Sequence, residues 1–371
     1  MLRLFPLFTA ILTLLIVTSC KEEIEFDGEF EETAVVYALL DQADSIHYVK
    51  ITRAFGGSNN SIEVAQIDDS SYFTDIVVVI DEVVNGNVAR SWTLDDTVLT
   101  HKEEGVFYSP DQKVYYFKTA PAQPLISTAT YRLTATINGG EYVVKGSTQL
   151  VQNMAIATPS QNAAMAFATS NVAQNGYNTQ LFYVNSGNAE RIDLRMKVYF
   201  DEYKNGVATE KSFTWKLGEV NGSEIIPNSN TPFYGPGQTF YTLVSQNVTN
   251  DPLIDKRELS RVQIIATGGS EDLNQYILLN KPSSSLAQNK PSFTNLSAVD
   301  ASGNERKVLG LFSSRVTVIQ EKPEWVNALP YYRAIDNSST KELCTGTITG
   351  ALLFCSDHPS DVSQGLSYVC Q

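Results

Sequence analysis

Short runs in which apolar and polar residues alternate, separated by turn-forming residues, constrain the fold of this chain most strongly. In residues 131–137 (YRLTATI) every second side chain is apolar, and Asn138-Gly139-Gly140 follows directly. A period of two is typical of a half-buried β-strand, and an Asn-Gly-Gly run supplies the positive φ angles of a tight turn. The stretch, with its return strand from residue 142, predicts an antiparallel hairpin.

Similar runs fall into two groups along the 371 residues. One group lies between residues 33 and 152, and another starts at 191 (RIDLRMKVYFDEY), after a small and polar stretch at 157–176. Many short strands with turn signals and no long helical period are typical of a β-sandwich. We predict an all-β fold of two β-sandwich domains, immunoglobulin-like or transthyretin-like, at 33–152 and 153–325, with a C-terminal tail at 326–371.

One or two short helices are expected in the second domain. Asp251-Pro252 resembles an N-cap followed by an N1 proline, which predicts a helix over 253–261. Ser270 is a suitable cap for a helix over 271–280, in which Leu273, Tyr276 and Ile277 share one face.

The N-terminus has the pattern of a secretory signal. A positive start is followed by an apolar run at 4–17, which is shorter than the roughly 20 residues that a bilayer span needs. We predict a signal peptide at 1–19, with a retained membrane anchor as the alternative. No other segment is long and apolar enough to predict a transmembrane helix.

The residues that end this run carry a resemblance. Val17-Thr18-Ser19-Cys20 resembles the bacterial lipobox, in which an aliphatic residue and two small residues precede a cysteine. The resemblance implies that the signal is cut before Cys20 and that Cys20 is acylated, with palmitate among the fatty acids. Each buried CH2 of such chains contributes about 0.8 kcal/mol, so several chains anchor a protein firmly.

An acidic segment follows this cysteine. Lys21, Glu22 and Glu23 resemble the export signal of Bacteroidota lipoproteins, which implies a place on the outer leaflet and the cell surface. Residues 20–32 are also expected to act as a solvated tether, because charge runs of this kind stay hydrated.

The remaining cysteines lie near the C-terminus. Exported proteins form disulfides, so we expect two of Cys344, Cys355 and Cys370 to pair. Metal binding by the three thiols and His358 is the alternative, although their spacings do not match a zinc knuckle.

Charge and motif content exclude several functions. A formal net charge of -14 argues against nucleic-acid binding, which needs a basic surface. The chain has three histidines and lacks the G-x-S-x-G, H-E-x-x-H and P-loop motifs. We therefore expect no metal, no cofactor and no catalytic residue. Carboxylates are abundant, which leaves a hydrolase with a pair of acids as the alternative.

Two weaker patterns concern binding and modification. Phe233 and Tyr234 lie in a stretch rich in glycine and proline, which predicts a binding loop or, alternatively, a loop packed on its own aromatic residues. Ser45 and Thr97 lie in Asp-Ser-Ile and Asp-Thr-Val triplets that resemble the O-glycosylation sites of exported Bacteroidota proteins. Both triplets also suit ordinary turns.

Four further segments complete the resemblance. Residues 35–40, 49–55, 290–296 and 310–315 resemble the uncharacterised Bacteroidota outer-membrane lipoproteins with a β-sandwich domain of unknown function. Some members are encoded with TonB-dependent receptors, which implies a nutrient-uptake transporter as a partner. We expect a lipid-anchored, non-catalytic binding or scaffold protein of the cell surface that contacts such a transporter or an extracellular glycan or protein. The alternatives are the hydrolase and a purely structural envelope component.

Overall fold

The computed structural model describes residues 33–54, 71–100, 111–280, 293–324 and 332–371. The expected signal peptide, Cys20 and the export residues Lys21, Glu22 and Glu23 lie outside these ranges. Within them the fold is mostly β-sheet and is divided among several sheets, as expected for an all-β protein.

The described part of the first half is built mainly from strands, with a short 3-10 turn at Asn138–Gly140. The strands are β1 (Thr33–Leu40), β2 (Ile46–Ala54), β3 (Ile76–Val84), β4 (Asn87–Thr93), β5 (Asp95–Leu99), β6 (Gln112–Lys118), β7 (Thr130–Ile137) and β8 (Tyr142–Gln149).

The second half combines longer strands with short helices. The elements are β9 (Ala155–Thr158), α1 (Val172–Asn175), β10 (Thr179–Asn185), β11 (Arg191–Lys204), β12 (Val207–Asn221), β13 (Asn230–Pro236), α2 (Gly237–Asn247), β14 (Lys256–Gly269), α3 (Glu271–Asn280), β15 (Leu296–Asp300), β16 (Val308–Pro323), α4 (Asn337–Thr345), β17 (Phe354–Cys355) and α5 (Pro359–Ser363).

Strand β16 joins the two halves of the chain into one sheet. Its first part pairs parallel to β1, from Ala34 beside Val308 to Leu40 beside Ser314, and we call this pairing the seam. Its second part pairs antiparallel to β14. The result is a nine-stranded sheet in the order β12-β11-β14-β16-β1-β2-β6-β5, with β17 attached to β14.

Two hydrophobic cores lie along this sheet. The first core fills the space between β1, β2 and β6 and the five-stranded sheet β15-β8-β7-β3-β4, with Val36, Ile51, Ile80 and Leu133 fully buried. The second core packs the inner side chains of β11 and β14 against helices α2 and α4 and the three-stranded sheet β13-β10-β9.

The cores divide the chain differently from the predicted ranges. Leu296, Ala298, Val308 and Phe312 pack in the first core, so the range 153–325 contributes to both cores. Residues 332–371 of the predicted C-terminal tail pack on the second core, where Leu343, Phe354 and Tyr368 among others are buried.

The helix predicted over 253–261 is wrong, and the helix predicted over 271–280 is confirmed. Asp251 caps only a turn, in which its carboxylate accepts the N–H of Leu253 at 2.9 Å. Strand β14 begins at Lys256, because its backbone pairs with strands on both sides. Helix α3 starts where expected, after Ser270, whose hydroxyl accepts the N–H of Leu273.

The seam requires a glycine at position 310. Gly310 has a φ of +106°, and a Cβ there would lie 1.9 Å from the carbonyl oxygen of Val36 on β1. The backbones of β16 and β1 therefore approach each other at a point where no side chain fits.

We expect Gly310→Ala to lower the free energy of unfolding by about 3 kcal/mol or more, because a positive φ and a backbone overlap act together. Gly303→Ala is the matched control, since Gly303 has a φ of +85° and open space around it. The control should lose only about 1–2 kcal/mol in urea unfolding. Equal losses in the two variants would show that the close approach at the seam does not matter.

Candidate functional site

A groove lies on the outer face of the nine-stranded sheet, the face turned away from the first core. Alternation along β1 buries Val36 and Ala38 and turns Tyr37 and Leu39 outward. Helix α3 packs over β16 and forms one wall, and outward side chains of β1, β2 and β16 form the floor. We call this site of about 410 Å³ the tyrosine groove. Its lining side chains include Tyr37, Leu39, Asp44, Ile46, Tyr48, Lys50, Leu273, Tyr276, Ile277, Leu311 and Arg315.

Hydrogen bonds fix the first turn of α3 to β16. The hydroxyls of Ser270 and Ser313 are 2.5 Å apart. The Asn295 amide donates to the carboxylate of Asp272 at 2.9 Å and to the carbonyl of Phe312 at 2.7 Å, and it accepts the N–H of Phe312 at 3.1 Å. The helical wall therefore has a fixed position relative to the floor.

Two tyrosines connect this wall to the floor. The rings of Tyr37 and Tyr276 meet edge to face with centroids 5.9 Å apart, and their hydroxyl oxygens are 2.7 Å apart. Partial burial and the hydrogen bond to Tyr276 raise the pKa of Tyr37 to about 12, so Tyr37 is neutral at physiological pH. Both rings are held in place, yet 40% of the Tyr37 surface stays exposed.

The aromatic surface continues across β2 and β6. Tyr48 is 41% exposed, and its ring centroid lies 6.4 Å from that of its cross-strand neighbour Tyr116. The ammonium of Lys118 lies over Tyr116 at 5.6 Å from the ring centroid. Aromatic rings presented with their polar ends toward water are typical of recognition surfaces.

The charges around the groove balance. Lys50 donates to the Gln112 side chain at 2.5 Å, and Arg315 lies 4.0 Å from the buried carboxylate of Asp41. Burial raises the pKa of Asp41. Asp44 supplies a further carboxylate to the lining, so with the buried Asp41 the two cationic side chains are balanced by two acidic ones.

His47 borders the groove but is only 2% exposed. Its side chain points into the first core, where it stacks on Phe117 with ring centroids 4.7 Å apart and lies 3.3 Å from the hydroxyl of Thr119. Burial lowers its pKa. His47 lies on the inward face of β2, together with Val49, and its neutral ring is part of the core.

The binding loop predicted at Phe233 and Tyr234 is a strand. Both residues lie in β13, which pairs with β10. Phe233 is buried in the second core and Tyr234 is 59% exposed on the other face. Gly235 lies in a tight place, where a Cβ would be 3.0–3.3 Å from side-chain atoms of Phe182, Leu217 and Trp215 and would force them to shift. The glycine signals close packing rather than a turn.

The two residues in glycosylation-like triplets lie apart from each other. Ser45 is exposed in the turn before β2, beside the groove residue Asp44, and Thr97 lies half-buried in the edge strand β5. Their modification stays a prediction.

The C-terminal cysteines do not form a metal site. Cys355 and Cys370 form a disulfide, and Cys344 is a free, buried thiol whose pKa burial raises to about 12. Glu258 is close to both paired sulfurs, but a disulfide lacks the thiolate electron pairs that bind zinc.

A buried charge cluster that no sequence pattern indicates fixes the C-terminal segment. The guanidinium of Arg333 donates to both carboxylate oxygens of Asp361, at 2.7 and 3.0 Å, and lies 3.4 Å from Glu324. The hydroxyl of Ser356 donates to Asp361 at 2.7 Å. Burial alone would raise the pKa of Asp361, but these hydrogen bonds hold it below its usual value. Burial raises the pKa of Glu324 to about 8. Arg333 therefore keeps Asp361 ionised, whereas at Glu324 burial outweighs the effect of the guanidinium and favours the protonated carboxyl group at neutral pH.

Separated carboxyl pKa values are a feature of paired-acid hydrolases, but this pair does not suit that chemistry. The side chains of Glu324 and Asp361 are only 5% and 0% exposed. A glycosidic bond has to lie between the two acids of such an enzyme. The cluster therefore serves to hold residues 332–371 against β16.

We expect Glu324 to contribute a loss of stability as pH rises from about 4.5 to about 8. In that range Glu324 ionises in the unfolded chain, at its ordinary pKa of 4.5, but stays protonated in the folded chain, so the unfolded state is favoured. Glu324→Gln resembles the protonated side chain and should remove this contribution, so the stability of the wild type should fall relative to that of the variant as pH rises. Urea unfolding at several pH values measures it, and parallel curves for the two proteins would contradict the assignment.

Comparisons with known proteins give little guidance. No family model and no curated protein sequence matches the chain. One solved structure with some similarity is the C-terminal globular domain of an oligosaccharyltransferase from Pyrococcus abyssi, at 10% identity and a TM-score of 0.21. The match covers 57% of this chain and 38% of that one. A likeness at this level carries no argument about fold or function.

The helices give one further finding. In the described ranges, none of them is both long enough and apolar enough to cross a membrane.

Proposed function

We propose that this chain is a lipid-anchored binding protein of the outer-membrane surface, without catalytic activity, that holds its ligand or partner in the tyrosine groove. The observation that carries the proposal is the pair of exposed tyrosines, Tyr37 and Tyr48, held on a continuous sheet beside a fixed helix. The ligand is an extracellular glycan or a protein, and the neighbouring partner is a nutrient-uptake transporter.

The energetics of the groove support a binding role. An exposed tyrosine ring covers a large contact area, and fixing it before binding reduces the entropy that a ligand has to overcome. The hydroxyl contact between Tyr37 and Tyr276 and the bonds at Ser270 and Asn295 provide this order.

We further propose that the N-terminal half is a β-sandwich of the immunoglobulin-like kind. The order β1-β2-β6-β5 opposite β8-β7-β3-β4 supports this, because it corresponds to A-B-E-D opposite G-F-C-C′. The hydroxyl of Tyr131, near the start of β7, lies 2.7 Å from the carboxylate of Glu82 and 3.0 Å from the carbonyl oxygen of Ile126. The contact with Ile126 resembles the tyrosine corner of such sandwiches. Rigid sandwiches of this type suit the display of a binding surface.

The groove can be tested by fluorine NMR of the full chain in detergent, with fluorotyrosine in place of tyrosine and signals assigned by Tyr→Phe variants. The probes are cellotriose, trigalacturonate, trialanine and decanoate. We expect at least one probe to shift the signals of Tyr37, Tyr48 or Tyr276. Tyr234 is the matched control, since it is also exposed but lies on β13, and its signal should not move. No groove shift with any probe would contradict the binding role.

The anchor is tested separately. Cys20→Ala should leave the protein without acyl chains and release it from outer membranes into the soluble fraction, because the membrane affinity comes from the buried CH2 groups. Replacing both Glu22 and Glu23 with glutamine should keep the acylated protein facing the periplasm. Protease digestion of intact cells measures exposure, and unchanged digestion of the second variant would contradict surface routing.

A further inference from the structure

We propose that the ligand of the tyrosine groove is a neutral saccharide, with a sugar ring lying against Tyr48 and Tyr37 and its hydroxyls bonded to the polar side chains around them. This inference rests on the proposed function and makes it more specific. It follows from the charge balance, the backbone pairing and the mixture of surfaces in the groove.

The charge balance favours a ligand without net charge. Lys50, Arg315 and Asp44 line the groove, and the buried carboxylate of Asp41 lies 4.0 Å from Arg315, so these four side chains together carry no net charge. The chain as a whole carries a formal charge of -14, which repels acidic polymers over longer distances. A uronic acid polymer and a strongly basic peptide therefore both fit poorly.

The backbone pairing argues against an extended peptide. Peptides that bind to sheets gain affinity by adding a strand to a free edge. The floor strands have no free edge here, because β1 pairs with β16 and β2, and β2 pairs with β1 and β6. A peptide would contact side chains only.

The mixture of polar and apolar surface argues against an acyl chain. A hydrocarbon would displace water from the charged side chains of Asp44, Lys50 and Arg315 without offering polar contacts in its place, and this desolvation costs free energy. A sugar satisfies both surfaces at once. Its C–H groups, polarised by the neighbouring oxygens, lie against the electron-rich face of an aromatic ring, and its hydroxyls donate and accept.

The tyrosine pair adds a hydrogen-bonding position. Only one proton lies between the hydroxyl oxygens of Tyr37 and Tyr276, at 2.7 Å. The second O–H and the remaining lone pairs are able to bond a ligand hydroxyl. The groove volume of about 410 Å³ falls in the range of small-molecule sites, roughly 300–1,000 Å³.

The test is titration of the full chain in detergent with cellotriose and with other neutral trisaccharides, followed by calorimetry and by the fluorotyrosine signals. We expect Tyr48→Ala to weaken binding of the neutral trisaccharide about tenfold and Tyr48→Phe to stay within about twofold of wild type, because stacking needs the ring. Tyr234→Ala should bind like the wild type. Affinity should not change between about 0.05 and 0.5 M NaCl, since a neutral ligand is not screened.

The outcomes separate this inference from the proposed function. Groove shifts with trigalacturonate, trialanine or decanoate but with no neutral trisaccharide would overturn the saccharide assignment and leave the binding role in place. Saccharide binding that Tyr48→Ala leaves unchanged would also overturn it. A groove that responds to no probe would overturn both.

Discussion

The parallel pairing of β1 with the first part of β16 is the interaction on which the rest of the structure depends. It connects one of the earliest described strands with one of the last, and it makes one sheet from strands that belong to two cores. It also allows a close backbone approach that only a glycine at position 310 permits. Without the seam, β16 would lie on the edge of the β14 sheet and β1 on the edge of the first sandwich.

The tyrosine groove follows from this pairing. Strand β16 leaves the seam and runs on beside β14, and helix α3 follows directly after β14, so the helix lies on the outer face next to β1. Alternation along β1 and β2 then places Tyr37 and Tyr48 on the face that α3 borders. The floor combines β1 and β2 from the N-terminal half with β16 from the C-terminal half, and α3 supplies the wall, so neither half contains the site alone.

The sequence predicts local structure well and distant pairing poorly. The hairpin at 131–149 and the helix at 271–280 depend on nearby residues, and both appear in the structure. The split of β16 between two cores, and the strand that replaces the expected helix near 256, depend on partners far away in the chain. The sequence predicts a loop at Phe233 and Tyr234 because glycine and proline, which lie beside them, are common in turns. In the structure these residues lie in a strand, and Gly235 allows close packing. The groove is beyond sequence-based prediction for the same reason, although the shared face of Leu273, Tyr276 and Ile277 is visible in the sequence.

Hydrogen exchange of the native chain tests most directly whether the seam supports the groove. Backbone amides of β1 and of residues 309–313 should exchange as slowly as those of β7 and β14, because they open only when both cores unfold. Fast exchange at the seam, while β7 and β14 stay protected, would show that the two halves move independently. In that case the tyrosine groove would have no rigid floor, and the central role of the seam would be contradicted.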